Sequence, residues 1–307
     1  MNLLVGPNGS GKSTLLDAAY AAASTTPFNA VIHILQRHPG VVDSPRWCVW
    51  KSGAEGPASV RMKEGESFWG VDLQVDRTSG GGIPSLRARH YSHHGYLDAT
   101  VDYDRGSDIF SFSLPPGGDA IVRGRGARMV EATGHDARTL VSLYSEAVEQ
   151  GKKSIVTQIV ASVVPDLEDL EILSDHGQPI LHLRFADRSV PAAFAGDGVH
   201  AMLRLVAELS GIGSGLALVE EPEVHQHPRS LREIAKAVAA AADLGLQLFI
   251  TTHSMEFLDA LLAGLGPARS DELALYRVAL AGGMLSTTRV PGADVLEARD
   301  SIQDDMR

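Results

Sequence analysis

Gly6-Pro-Asn-Gly-Ser-Gly-Lys-Ser13 is the stretch that decides the fold. It matches G-x-x-x-x-G-K-[ST] in full, with the apolar Leu3-Leu4-Val5 ahead of it and a Leu- and Ala-rich stretch from Lys12 to Ala23 behind it. Strand, glycine-rich loop and helix in that order make an anion site. The glycines let the backbone curl until successive N–H groups face a phosphate, and the helix N-terminus adds the positive end of its dipole. Asn8, Gly9, Ser10, Gly11, Lys12, Ser13 and Thr14 are therefore expected to hold the phosphates of a nucleotide, with Lys12 at the β and γ groups and the Ser13 hydroxyl on Mg²⁺.

A phosphate loop alone serves kinases, GTPases and motors alike, so the rest of the site has to narrow the chemistry. Leu216-Ala-Leu-Val219 is an uninterrupted apolar run that ends in Glu220-Glu221-Pro222, a Walker B arrangement. Glu220 takes the place that usually carries Asp and is expected to orient Mg²⁺ through water. Its extra methylene alters that geometry and predicts slow turnover. Glu221 is expected to polarise the attacking water as general base. The next apolar run, Leu246 to Thr252, ends in His253-Ser254. That puts His253 at the carboxyl edge of a neighbouring parallel strand, where ligands of such sheets bind, within reach of a γ-phosphate. Lys12, Glu221 and His253 are the catalytic candidates; Ser13 and Glu220 are the candidate metal ligands.

The two ends of the chain alternate strand and helix: after Gly196 come a helix over 199–209, a strand over 216–219, a helix over 228–243, a strand over 246–252 and a helix over 255–263. In the third of these, Leu231, Ile234, Val238, Ala241 and Ala242 follow the spacing of one buried helical face, opened by Pro228 and closed by Gly245. Between the ends, SVRMK, SFWGVDLQVDR, ATVDYD and IFSFSL, within 27–114, read as antiparallel strands. Ser79 to Gly82 reads as an exposed loop. From Asp136 to Leu173 the pattern turns helical, and ILHLRF over 180–185 returns to strand. The predicted fold class is α/β: one domain with a mostly parallel sheet flanked by helices, an inserted antiparallel β lobe and a helical lobe. Residues 1–25 and 196–307 form the nucleotide-binding core, 26–135 the β lobe and 136–195 the helical lobe.

The 27 basic and 38 acidic residues give a net charge of -11, which argues against binding nucleic acid by bulk electrostatics. Arg123, Arg125 and Arg128, and more weakly Arg87, Arg89 and His90, are the local basic patches. Composition favours a solvated loop for the first. No apolar run spans a bilayer, because Lys236, Asp243 and Glu256 interrupt the most hydrophobic third. The first residues carry no basic leader, and the single Cys48 suits a reducing compartment, so a cytoplasmic location is expected. His90, His93 and His94, like His225 and His227, lack the cysteine or carboxylate partners of a zinc site.

GPNGSGKST, LVEEPEVHQHP and FITTHSMEFLDAL together resemble the ABC-type ATPases related to SMC, RecF and OLD proteins, especially the small stand-alone AAA-type ATP-binding proteins of bacteria. The likeness covers the first ~25 residues and 194–263. It implies a homodimer in which ATP lies between the phosphate loop of one copy and a signature loop of the other. Leu209-Ser-Gly-Ile-Gly213 looks like a transporter signature but lies seven residues before Glu220, too close for the helix that must separate them. Ala195-Gly-Asp-Gly198 stands at the right distance, and Gly196, Asp197 and Gly198 are expected to meet the γ-phosphate across the dimer. The resemblance also implies an antiparallel strand pair ahead of the phosphate loop, with a residue stacking on adenine. Only five residues precede Gly6, so the base contact must come from the insertion or from upstream residues. No Q-loop glutamine is fixed; Gln36 and Gln74 lie near strand ends.

These readings converge on ATP binding and hydrolysis with Mg²⁺, closing two heads and driving a separate partner. Antiphage defence with a nuclease or toxin as that partner is one expected setting, since the stretch after Ala263 is too short for an effector domain. A RecF- or SMC-type DNA-maintenance head and a nucleotide-holding subunit with little hydrolysis are the alternatives. A transporter subunit lacks its signature and spacing.

Overall fold

The computed structural model describes residues 1–37, 44–49, 56–76, 84–104, 109–114, 126–131, 139–302 and 306. The loop expected over 79–82 and the basic residues Arg123 and Arg125 lie outside the described residues. The chain divides into two compact units, Met1–Leu16 with Met129–Arg307, and Asp17–Arg128.

The first unit is built on strand β1 (Asn2–Val5), which runs into the glycine-rich loop, and helix α1 (Lys12–Ala23), which leaves it. A strand with both faces covered must be apolar throughout. In β11 (Gly215–Glu220), Leu216, Ala217, Leu218 and Val219 are all buried. It pairs in parallel with β12 (Leu246–Thr252), and β12 in parallel with β1. On the other side of β1 lies β13 (Ala274–Ala281), again parallel, followed by the antiparallel edge strand β14 (Met284–Pro291). With β7 (Ala127–Glu131) at the far edge, the order is β14-β13-β1-β12-β11-β7.

Helices follow the strands as their periodicity requires. In α6 (Pro228–Asp243) Leu231, Ile234, Val238 and Ala241 are buried, Pro228 opens the helix, and Gly245 turns the chain with φ +88°. Helix α7 (Met255–Leu265) buries Phe257, Leu258, Leu261, Leu262 and Leu265, and Ser254 caps it by accepting from Phe257 N at 3.1 Å. Helix α5 (Asp197–Gly211) begins two residues earlier than its apolar pattern indicates, with Gly196 at the capping position. Every residue from Ala201 to Gly211 in it is buried. The signature-like Leu209–Ile212 thus sits at the buried C-terminal end of a helix, not at an N-terminus.

Two sequence expectations change. The stretch taken as wholly β begins with helix α2 (Pro27–Gln36): Pro27 pre-sets its first turn, and Phe28, Val31 and Leu35 fall on one buried stripe. The stretch taken as helical holds α3 (Leu140–Glu149) and α4 (Lys153–Ala161) but ends in a strand, β8 (Asp169–Asp175). His176 and Gly177, both at positive φ, turn β8 into β9 (Gln178–Arg184) in a two-residue hairpin that matches the strand twist.

In the second unit β2 (Ala58–Glu64), β3 (Ser67–Asp76), β4 (Ser85–Ser92), β5 (Gly95–Asp104) and β6 (Ile109–Ser113) pair antiparallel in chain order. Strand β4 alternates, with Leu86, Ala88, His90 and Ser92 buried and Arg87 and Arg89 outward. The outward pair is neutralised across neighbouring strands, Arg87 by Asp76 at 2.7 Å and Arg89 by Asp98 at 2.7 Å. Gln36 closes helix α2 and so does not lie near a strand end, whereas Gln74 lies two residues before the end of β3.

His90 is fully buried, with Nε2 2.9 Å from Ala22 O, and burial pushes its pKa below the ordinary value of 6.5. The neutral ring is the form that fits. Its contribution to stability is therefore present above pH 6.5 and lost as pH falls below it, at no more than about 1.4 kcal/mol per pH unit. An NMR titration of the intact chain is expected to place the His90 midpoint below 6.5; a midpoint at or above that value contradicts the burial argument.

Candidate functional site

Strand register assembles the site. Val5 pairs with Thr252, and Thr251 pairs with Glu220. The ends of β1, β12 and β11 therefore lie level, and the glycine-rich loop, His253 and Glu221 leave three adjacent strands on the same edge. At about 4.8 Å per strand, the outer two are roughly 10 Å apart, the span of a phosphate chain with a water beside it.

Within the loop, Lys12 is buried and its ammonium donates to Gly6 O at 2.8 Å and Pro7 O at 3.1 Å. Ser10 is also buried, and its Oγ has no hydrogen-bond partner among the described residues. A buried cation on loop carbonyls beside an unsatisfied hydroxyl is a cradle that phosphate oxygens would complete. Ser13 and Thr14 are exposed at the start of α1. Glu220 is half-buried at the end of β11; its carboxylate and the Ser13 and Thr14 hydroxyls are hard oxygens, the kind of donor Mg²⁺ prefers when phosphates supply the remaining ligands.

Glu221 adopts φ +42°, a left-handed conformation costly for a side chain of this kind. Its backbone is fixed there by β12: Glu221 N donates to Thr251 O at 3.1 Å and Thr251 Oγ1 at 3.3 Å. The turn brings Glu221 Oε1 to 3.3 Å from His253 Nδ1. The general-base and γ-phosphate candidates are thus in direct contact.

Glu223 is the residue that sequence reasoning missed. Its side chain is 7% exposed, and its Oε1 accepts from Thr252 Oγ1 at 2.6 Å and His253 N at 3.1 Å. Burial pushes its carboxyl above the ordinary range, opposed by those hydrogen bonds and by the nearby His253 ring. Glu223 thus ties the turn after β11 to the end of β12. Its only sequence signal is its place two residues after Glu221.

Gly196, Asp197 and Gly198 begin α5, and their loop is built against the same turn. Gln226 Nε2 donates to Gly198 O at 3.3 Å, and a Cβ on Gly198 would stand 2.8 Å from His225 O. Phe194, just ahead of this loop, is 82% exposed. Gly196 has open space around it. Among the described residues no group of three or more His, Cys, Asp and Glu side chains is placed to hold a metal ion. His93 and His94 face each other with ring centroids 3.8 Å apart.

Residues 113–259 match the family described as "AAA domain, putative AbiEii toxin, Type IV TA system". A search of the curated proteins finds no match. Among solved structures, an SMC head bound to the C-winged helix domain of ScpA aligns with TM-score 0.52 at 12% identity, over 96% of this chain and 91% of that one. The SMC head domain of Thermotoga maritima aligns at 13% identity with TM-score 0.41, over 94% and 89%. An SMC head with extended coiled coil, derived from Pyrococcus furiosus and bound to the C-terminal domain of ScpA, aligns at 11% identity with TM-score 0.47, over 99% and 93%. The fold is the SMC-head type of P-loop fold.

The two glycines of the α5 loop make opposite predictions. Gly198→Ala is expected to destabilise the chain by about 1–3 kcal/mol through the clash with His225 O, despite the gain in helix propensity. Gly196→Ala, with φ -61° and open space, is expected to stay within about 1 kcal/mol of the parent in chemical denaturation.

Proposed function

We propose that this chain, a P-loop protein of the SMC and ABC head type, binds and hydrolyses ATP with Mg²⁺ and works as a homodimer closed around nucleotide. The observation that carries the reading is the convergence of Lys12, Glu221 and His253 at the carboxyl ends of three adjacent strands.

In this reading the N–H groups from Asn8 to Thr14 and the Lys12 ammonium exchange the loop's own contacts for the β- and γ-phosphate oxygens. Ser13 Oγ and, through water, Glu220 would hold Mg²⁺, which would supply charge neutralisation at the β- and γ-phosphates. Glu221 accepts a proton from the water that attacks the γ-phosphorus. His253, held through Nδ1 by Glu221 and through its backbone by Glu223, leaves Nε2 to the γ-phosphate. Glu223 acts as a positioning residue.

The first turn of α5 supports dimerisation. Gly196, Asp197 and Gly198 present backbone N–H groups and a positive dipole end beside the exposed Phe194, a surface suited to the γ-phosphate of a second copy. Because Gln226 and His225 link this loop to the turn carrying Glu221, the state of the nucleotide is felt at both faces of the sandwich. Closure and reopening then act on a partner protein, as the solved SMC head engages ScpA; antiphage defence in the cytoplasm, with a separate effector, is the setting we favour. The SMC-like fold also favours a second reading, a DNA-maintenance head, in which DNA stimulates turnover. The long Glu220 carboxylate favours slow turnover and a role as a nucleotide-dependent switch.

Glu221→Gln is expected to lower steady-state ATP hydrolysis by about 10²-fold or more while leaving ATP binding intact, and to trap an ATP-dependent dimer in size exclusion. Parental turnover unaffected by the substitution would remove Glu221 as the base. Duplex DNA raising the parental rate several-fold would favour the second reading.

A further inference from the structure

β13 and β14 form a hairpin that sequence reading left unassigned, and its tip lies at the phosphate loop. Gly282 and Gly283, at φ +59° and +80°, make the two-residue turn between Ala281 and Met284. A Cβ on Gly11, itself at φ +92°, would lie 2.7 Å from Leu285 Cδ1, and one on Gly6 would lie 2.4 Å from Val278 O. The hairpin is therefore seated against both ends of the loop, by a backbone approach at Gly6 that a side chain would block and a side-chain approach at Gly11 that would force Leu285 to move.

Direction decides what this seat faces. Glu220, Glu221 and His253 leave β11 and β12, on one side of β1, whereas β13 and β14 lie on the other. A nucleotide with its γ-phosphate at the carboxylates must send its nucleoside away from them, across the loop and toward the hairpin. There Leu280 and Leu285 pair across the strands on one face, with Leu280 47% exposed and Leu285 36% exposed. Lone surface leucines need no explanation, but a paired patch continuous with a phosphate cradle is suited to an aromatic base.

We infer that the Leu280–Leu285 pair at the tip of this hairpin is the apolar platform on which the nucleotide base rests. The inference deepens the ATP reading and rests on it. It assigns base contact to residues nearly 270 positions beyond the loop they serve, Leu280 against Gly11. Met284, paired with Ala281 and 79% exposed, points to the opposite face by strand alternation and serves as the control.

Isothermal titration of the full chain with MgATP and with magnesium tripolyphosphate, which has no base, tests it. Leu280→Asp is expected to weaken ATP about tenfold and tripolyphosphate by less than about twofold, with Met284→Asp binding both as the parent does. Unchanged ATP affinity in Leu280→Asp overturns the inference. So does an equal loss for both ligands, which would make the hairpin a support of the loop, or an equal loss of ATP affinity in Met284→Asp. A parental chain that binds neither ligand overturns the nucleotide reading and this inference with it. Binding of both with Leu280 indifferent removes this inference alone.

Discussion

The parallel register of β1, β12 and β11 is the constraint on which the site depends. Parallel pairing gives every strand in that row its carboxyl end on the same edge, and the pairs Val5–Thr252 and Thr251–Glu220 bring those ends level. A slip of one residue between β11 and β12 would separate Glu221 from His253 by a strand step, and one between β1 and β12 would move the glycine-rich loop out of level with both. The buried runs that make the core, Leu3 to Val5 and Leu216 to Val219, therefore also set the spacing of the chemistry. Stability and function share one cause here.

The edge of that sheet holds less comfortable structure. Glu221 sits at positive φ, and Glu223 keeps a carboxylate in a place whose burial disfavours its charge. Both costs are offset by β12, through Thr251, Thr252 and the His253 N–H. Such arrangements persist only where surrounding contacts over-determine them, and they concentrate where a protein has work to do. The turn from Glu221 to His227 also meets Gly198, so a single short segment carries the base candidate and touches both the γ-phosphate candidate and the start of α5.

The second unit is organised by different rules. Its antiparallel sheet has one face on its own core and one face in water, with alternating burial and ion pairs between neighbouring outward charges. His90 sits on the buried face as a neutral core residue, hydrogen-bonded to the helix that leaves the phosphate loop. The Arg-His run of this strand is thereby divided: its arginines are paired in the solvent and its histidine is packed.

By itself the sequence determined the P-loop class, the run of core elements between Gly196 and Ala263, and Lys12, Glu220, Glu221 and His253 as candidates. These are local signals: a glycine pattern with fixed spacing, apolar runs too continuous for one-sided strands, and polar residues at their ends. Helix α6 and strand β12 were legible to the residue, because a proline and a glycine punctuate them. Helix α2 and strand β8 were not, since each lies inside a segment whose average composition favours the other state. Tertiary structure alone decided the rest. Glu223 is an ordinary carboxylate until β12 places Thr252 and His253 against it, Gln226 gains its meaning from Gly198, and the hairpin near residue 280 meets the loop near residue 10 only after β13 pairs with β1. Contacts between residues hundreds of positions apart leave no period in the chain, and they arise from the sheet order that packing selects.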